Sequence, residues 1–461
     1  MKKYFYLAAV SAMMLTACSS DKDVLEPTPT PSTPTVAAQQ QAVAFDTYLA
    51  GTTASTRSGE PGVMTTEKLK TANAGFGVFA YYQDGADYNS STDKPNFMYN
   101  QKVTWNSGWT YSPLKYWPNE TTNDSQSAPY QATATTKDKL SFFAYAPYVD
   151  GTSFTTTGIT GLSGNNTAGD PTVSYAVSKD PDNNVDLLWG VAPAGFSYTD
   201  VSGGTTSVSV GTPLKDLVKP DKDQKVKFLF QHALSRIDLS VVSAIDQIAA
   251  GDDGGIYTNT DTRVLIEEVK IWGEFGTSGT LDLNNGTKNV ANWDESTVVR
   301  TWSSGTDPLF TIDITTGLLA TDLRYVVSQI TDVTGVSDAT AAATAFTLIN
   351  EGVLPSEKPL MNVDASSNPR YFMVIPSPLP AVKTGLYVQI KYHVVTKDTN
   401  LKGFVSDITN TITRRADIHF ENGKSYNLKL ILGLTSVKLD ATVADWQVAD
   451  DSEIWVPKNN D

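Results

Sequence analysis

The chain has 461 residues and a formal net charge of −15, with 40% hydrophobic and 18% charged residues, 32 glycines, 23 prolines and a single cysteine. Such acidity disfavours nucleic acid and anionic headgroups as partners, and one cysteine excludes an internal disulfide. The length allows two or three domains, and a Thr-, Ser-, Asn- and Gly-rich composition with 10% aromatics fits extracellular β-structure.

The first element is a signal. Lys2 and Lys3 precede an apolar run over residues 4–15, and Leu15-Thr16-Ala17-Cys18 closes it. A basic start, a short apolar core and small residues before the cut describe a secretory signal. The Leu-x-small-Cys ending looks like a bacterial lipoprotein signal, with residues 1–17 removed and Cys18 lipidated, as with palmitate, at the mature N-terminus. Outer-membrane lipid is then the first expected partner. Residues 18–41 read as a tether: Pro27, Pro29, Pro31 and Pro34 alternate with Thr and Ser before a Gln run, a composition that favours extended, solvated polyproline II.

Residues 43–49 alternate. Val43, Phe45 and Leu49 share one face, which predicts a half-buried strand. Residues 50–64 are rich in Gly, Thr and Ser and predict an exposed loop open to nicking, with Arg57 in its middle. Strands follow over 75–82, 97–105 and 109–117, the last two as a hairpin turning at Asn106-Ser107-Gly108. Further strands are expected over 139–145, 173–177 and 185–189. A polar break over 214–223 places the domain boundary, giving an N-terminal domain at 42–220 and a C-terminal one at 221–461.

In the second half, Val226, Phe228 and Phe230 alternate with neighbours, as do Ile237, Leu239 and Val241. Residues 264–272 predict another strand. Val388, Ile390, Tyr392 and Val394 are expected to face inward, with Gln389, Lys391 and His393 outward. Residues 425–434 and 437–443 make two late strands. Helical spacing is confined to 338–346 and 244–250. Many short strands with Gly/Asn turns predict an all-β chain of sandwiches or barrels.

Short motifs then add up in order. They are Lys115-Tyr116-Trp117-Pro118, Leu140-Ser141-Phe142-Phe143-Ala144-Tyr145-Ala146-Pro147 and Asp186-Leu187-Leu188-Trp189-Gly190. Next come Phe228-Leu229-Phe230-Gln231-His232-Ala233-Leu234-Ser235-Arg236-Ile237, Asn422-Gly423-Lys424-Ser425-Tyr426-Asn427-Leu428 and Val443-Ala444-Asp445-Trp446. Behind a lipoprotein signal, this set resembles the fimbrillin family of major and minor pilins of type V pili, over residues 42–450. The resemblance implies two transthyretin-like β-sandwich domains in tandem. It implies an outer-membrane lipoprotein precursor, cut after an arginine in an early loop by an arginine-specific protease. The matching arginine is Arg57, and the strand lost carries Val43, Phe45 and Leu49. A C-terminal strand of another pilin subunit, of the same or a different kind, then fills the vacated groove at the cell surface.

That exchange is physically reasonable. A missing strand leaves unpaired backbone groups, each costing about 1–3 kcal/mol when buried. Refilling by another chain is β-augmentation, and head-to-tail repetition gives an open filament. The candidate donor spans 441–457 and carries Val443, Trp446, Val448, Ile454, Trp455 and Val456, broken by a polar gap at 449–453. The alternative reading is a free-standing surface lipoprotein, or a pilus tip subunit, that binds a host glycan or protein.

Catalytic chemistry is not expected. His232, His393 and His419 are the three histidines, and none has metal-ligand spacing with another His or Cys. His232 is expected to pack or hydrogen-bond near a strand end. Gly75-Phe76-Gly77 lies inside a strand, so a nucleotide phosphate would meet no helix N-terminus. Asp180, Asp182, Asn184 and Asp186 alternate like calcium ligands, but Val185 and Val191 stand where glycine and glutamate are required. Glu267 and Glu268 are expected on opposite strand faces. No metal or cofactor is predicted.

Overall fold

The computed structural model describes residues 41–49, 66–70, 75–118, 138–152, 158–245, 262–302, 304–326, 352–365, 367, 369–376, 384–397 and 405–445. The signal, Cys18, Arg57, the helical stretch at 338–346, and Trp446, Val448, Ile454, Trp455 and Val456 lie outside them. In the first half the strands are β1 (Phe45–Leu49), β2 (Phe76–Gln83), β3 (Met98–Trp105), β4 (Trp109–Thr110), β5 (Lys139–Ala146), β6 (Ile159–Leu162), β7 (Thr172–Ala176), β8 (Leu188–Val191), β9 (Ser197–Thr199), β10 (Thr205–Ser207), β11 (Leu214–Val218) and β12 (Val226–His232). The second half supplies β13 (Ser235–Ser243), β14 (Thr262–Asp282), β15 (Asn292–Trp293), β16 (Val299–Trp302), β17 (Phe310–Asp313), β18 (Lys358–Pro359), β19 (Phe372–Val374), β20 (Thr384–Lys397), β21 (Val405–Ile418), β22 (Lys424–Leu432) and β23 (Val437–Asp445). The all-β expectation is borne out.

One sheet runs β1-β12-β8-β5-β2-β3-β4, with β11 added on β5. Its two ends approach each other: Val43 N–H donates to Lys115 O at 2.8 Å and Trp117 N–H to Gln41 O at 3.0 Å. The enclosed face carries Phe76, Val78, Phe142, Ala144, Phe228 and Phe230. The opposite face packs Phe79, Tyr81, Phe143, Tyr145 and Trp189 against Val173, Tyr175, Leu281 and Trp293. β2 and β5 are therefore covered on both sides. This is why their sequences are unbroken apolar runs rather than alternating ones.

The other core lies between two sheets. β18, β19, β13, β22 and β23 form one, and β14, β20 and β21 with β17 face it. Ile237, Leu239, Leu428 and Leu430 meet Val264, Ile266, Val388 and Ile390 across the gap. β14 serves both cores: its first half pairs with β20 and β17, its second with β7, β15 and β16. Gly273 lies where the strand changes partners, at φ +144°, and a Cβ there would collide with the Gly385 carbonyl. β12, which follows the break at 214–223, hydrogen-bonds into the sheet that begins with β1.

Two local expectations are corrected and a third, the outward facing of His393, holds with an addition. The supposed polar break contains β11, whose Leu214, Leu217 and Val218 are buried. A register shift and the positive φ of Asp216 destroy its period-two pattern, so the apolar residues do not alternate. Glu267 and Glu268 do not take opposite faces. A bulge between Ile266 and Glu268 puts both on the outer side, because Ile266 and Val269 flank them inward. His393 is on the outward face of β20 yet only 5% exposed, since Tyr325 covers it.

Candidate functional site

The site is built on β1. Phe45, Thr47 and Leu49 sit opposite Val226, Phe228 and Phe230 in parallel register. Just upstream, Val226 N–H donates to Ala44 O at 2.8 Å and Tyr111 OH to Val43 O at 2.7 Å. Val43, Phe45, Thr47 and Leu49 all point inward and are buried. The Phe45 ring lies 5.4 Å from Tyr111, 5.9 Å from Phe142, 6.0 Å from Phe228 and 6.3 Å from Phe76. Each such side chain contributes about 1.5–3 kcal/mol through burial. On the outer face the Asp46–Lys225 approach is 3.9 Å and half-exposed, a geometry that adds little.

β1 stands at one end of its sheet, and the helical turn Thr66–Leu69 later in the chain buries Leu69. β1 is thus a short end strand, held by backbone bonds to β12 and to residues 115–117. Without it, β12 would present its open edge and Phe228 and Phe230 to an empty slot. The vacancy would be both a hydrogen-bonding template and an apolar groove.

The candidate donor is partly in view. β23 pairs along its whole length with β22 as an edge strand. Val437 is buried and Leu439 and Asp440 are half-buried, whereas residues 441–445 are exposed, Val443 at 57%. Residues 441–445 therefore hold their place mainly by backbone hydrogen bonds, and little side-chain burial would be lost if they left.

The ordered motifs converge on β12 and its continuation. Ala144 pairs with Gly190, and Gly190 with Phe230. A Cβ on Gly190 would sit 2.8 Å from the Phe228 ring and 3.1 Å from Ala144 Cβ, so glycine lets these strands close up. Beyond β12, Arg236 pairs with Ser425, and Tyr426 with Val443. Tyr116 of the first motif bridges to Ala42. Asp186 and His232, from two different motifs, meet through a 2.6 Å contact to Nδ1 with both side chains buried. This agrees with the hydrogen-bonded role expected of His232.

The calcium-like run disperses. Asp180 accepts from Asp182 N–H, Asp182 pairs with Arg370 at 2.7 Å, Asn184 accepts from Ser178 N–H and Asp186 reaches His232. Among the described residues, no group of three or more His, Cys, Asp or Glu is placed to hold a metal.

Sequence reading missed a titrating cluster on the second core's outer side. His393 Nδ1 lies 2.9 Å from Asp407 and Nε2 3.0 Å from Glu267. Tyr325 stacks on the ring at 3.5 Å and donates its hydroxyl to Asp407 at 2.9 Å, and Lys391 reaches Glu267 at 2.7 Å. Burial alone would lower the His393 pKa, but the bonds to Asp407 and Glu267 outweigh it and raise it above 6.5. At Asp407 and Glu267 burial would raise the pKa, but His393 and Tyr325 on the first and Lys391 and His393 on the second outweigh it and lower both below the usual carboxylate values.

The sign follows from linkage. The His393 contribution is complete below its ordinary pKa and is lost as pH rises through the raised folded value. The carboxylate contributions are lost only on acidification through their lowered values. Denaturation midpoints are therefore expected to fall between about pH 6 and pH 8, and less so in His393→Gln. An equal fall in both proteins would remove His393 from the explanation.

No protein-family model matches the chain. The chain is 27% identical over 405 residues to fimbrium subunit Fim1C of Phocaeicola vulgatus, which covers 86% of this chain and 88% of that protein. Its fold is similar to the solved structure of a fimbrial protein from Bacteroides vulgatus, with a TM-score of 0.52 and 21% identity over 88% of this chain and 99% of that one. The resemblance to fimbrial proteins read from the motifs is thereby borne out.

Proposed function

We propose that the chain is a structural subunit of a cell-surface fimbria that contributes to adhesion. It is exported as an outer-membrane lipoprotein through Cys18, trimmed after Arg57 by an arginine-specific protease, and joined to other pilin subunits by strand exchange. The observation that carries this reading is β1. It is an end strand with all its inward side chains buried, followed by the segment that holds Arg57. The fimbrial name of the similar Phocaeicola protein supports the same class. The exposed end of β23 fits the donor role, with Val443 at its base and Trp446, Val448, Ile454 and Val456 beyond it. No catalytic activity is assigned.

Limited trypsin digestion of the folded chain is expected to cut first at Arg57. Digested protein, incubated with itself, should give SDS-resistant ladders, while Arg57→Ala stays monomeric. Cleaved protein that remains a single compact molecule would overturn assembly and leave the free-standing surface binder.

A further inference from the structure

A cleft of about 600 Å³ opens on the outer face of β13 and β22, walled by residues 357–363 and 369–371. Its size falls within the range of small-ligand sites, about 300–1,000 Å³. We propose that this cleft binds an uncharged oligosaccharide. The inference does not depend on strand exchange.

Charge argues first. The lining ions are paired internally: Arg236 with Asp238 at 3.1 Å, Lys358 with Asp322 at 2.6 Å, Arg370 with Asp182 at 2.7 Å and Glu357 with Lys429 at 2.9 Å. Each of these charges is already offset by its partner, so an anionic or cationic ligand gains less here than beside an unpaired ion. A neutral polyhydroxylated one needs no such ion, and it can use the lone pairs and protons that remain.

Those remaining groups are fixed in place. Ser240 Oγ donates to Asn427 Oδ1 at 3.1 Å, and Asn427 Nδ2 donates to Glu357 at 3.0 Å. The Asp238 oxygen Oδ2 accepts from Arg236 and Ser425, whereas its Oδ1 is buried and meets no donor. The Arg236 guanidinium lies 4.0 Å over the Tyr371 ring, a flat amphipathic plate. Met361 and the 51% exposed Val363 add apolar surface. A sugar, with hydroxyl edges and C–H faces, matches this alternation of polar and apolar lining.

The test uses the full chain carrying Arg57→Ala, so that polymerisation adds no avidity, on an array of neutral, sialylated and sulfated oligosaccharides and unmodified peptides. Binding to neutral oligosaccharides is expected. Tyr371→Ala and Asn427→Ala should each weaken it about tenfold or more, equivalent to about 1.4 kcal/mol. Val363→Glu, on an exposed wall position, should do the same with an unchanged melting temperature. Binding confined to acidic sugars or to peptides, no binding to any neutral sugar, or binding untouched by Val363→Glu and Asn427→Ala would each overturn the proposal. None of these outcomes bears on ladder formation by the cleaved protein.

Discussion

Truncating Phe45 to alanine is expected to lower the unfolding free energy of the uncut chain by about 3–5 kcal/mol, the usual cost of emptying a buried phenylalanine site. Four rings surround that side chain within 6.3 Å, and they belong to β2, β5, β12 and the segment after β4. None can collapse into the vacancy without leaving its own sheet position, so the cavity term is retained. Asp46→Ala, on the exposed face of the same strand, should change stability by less than about 1 kcal/mol. Urea titrations of the two variants separate a packed plug from a loosely added strand. A Phe45→Ala loss no larger than that of Asp46→Ala would show that β1 contributes little to the fold, and a strand of that kind would leave no groove worth refilling.

Much of this architecture was legible in the chain, and the exceptions share a cause. Alternation revealed β1, β12, β13 and β20 because each buries one face. Unbroken apolar runs revealed β2 and β5, although the sequence did not show that a second core covers their other side. β11 escaped because an irregular register and a left-handed Asp216 scatter its apolar positions. The same physics hid the Glu267–Glu268 arrangement, where one inserted residue reverses the facing of its neighbours. His393 reads as outward by parity and is outward. Its burial comes from Tyr325, 68 positions away in the chain, and no local pattern carries that information.

The candidate site was legible in a different way. Val43, Phe45 and Leu49 were found by spacing. Thr47, which the same spacing puts between them, shares the buried face. Individually weak motifs proved to be neighbours. From the second motif to the sixth, each pairs with the next, β5 with β8, β8 with β12, β13 with β22 and β22 with β23, while Tyr116 of the first bridges to Ala42 beside β1. The pairings follow chain order, but sequence separations as large as 189 residues, as between Arg236 and Ser425, hide them from any local pattern. The motif strands therefore surround the groove strand rather than form a reactive centre.

The Asp186–His232 contact tests whether that surround is cooperative. It joins the turn before β8 to the last residue of β12, with both side chains at most 3% exposed. Asp186→Leu is expected to cost about 1–3 kcal/mol, the penalty for leaving the buried His232 Nδ1 without this hydrogen-bond partner. The double variant Asp186→Leu, His232→Phe should recover most of that loss, since replacing both partners by apolar groups leaves no stranded polar atom. A double-mutant cycle measured by urea unfolding decides the matter. Additive losses would mean that the two side chains are stabilised independently. A large favourable coupling would instead place the junction between two motifs among the interactions that hold β12 straight, and so keep the β1 groove in shape.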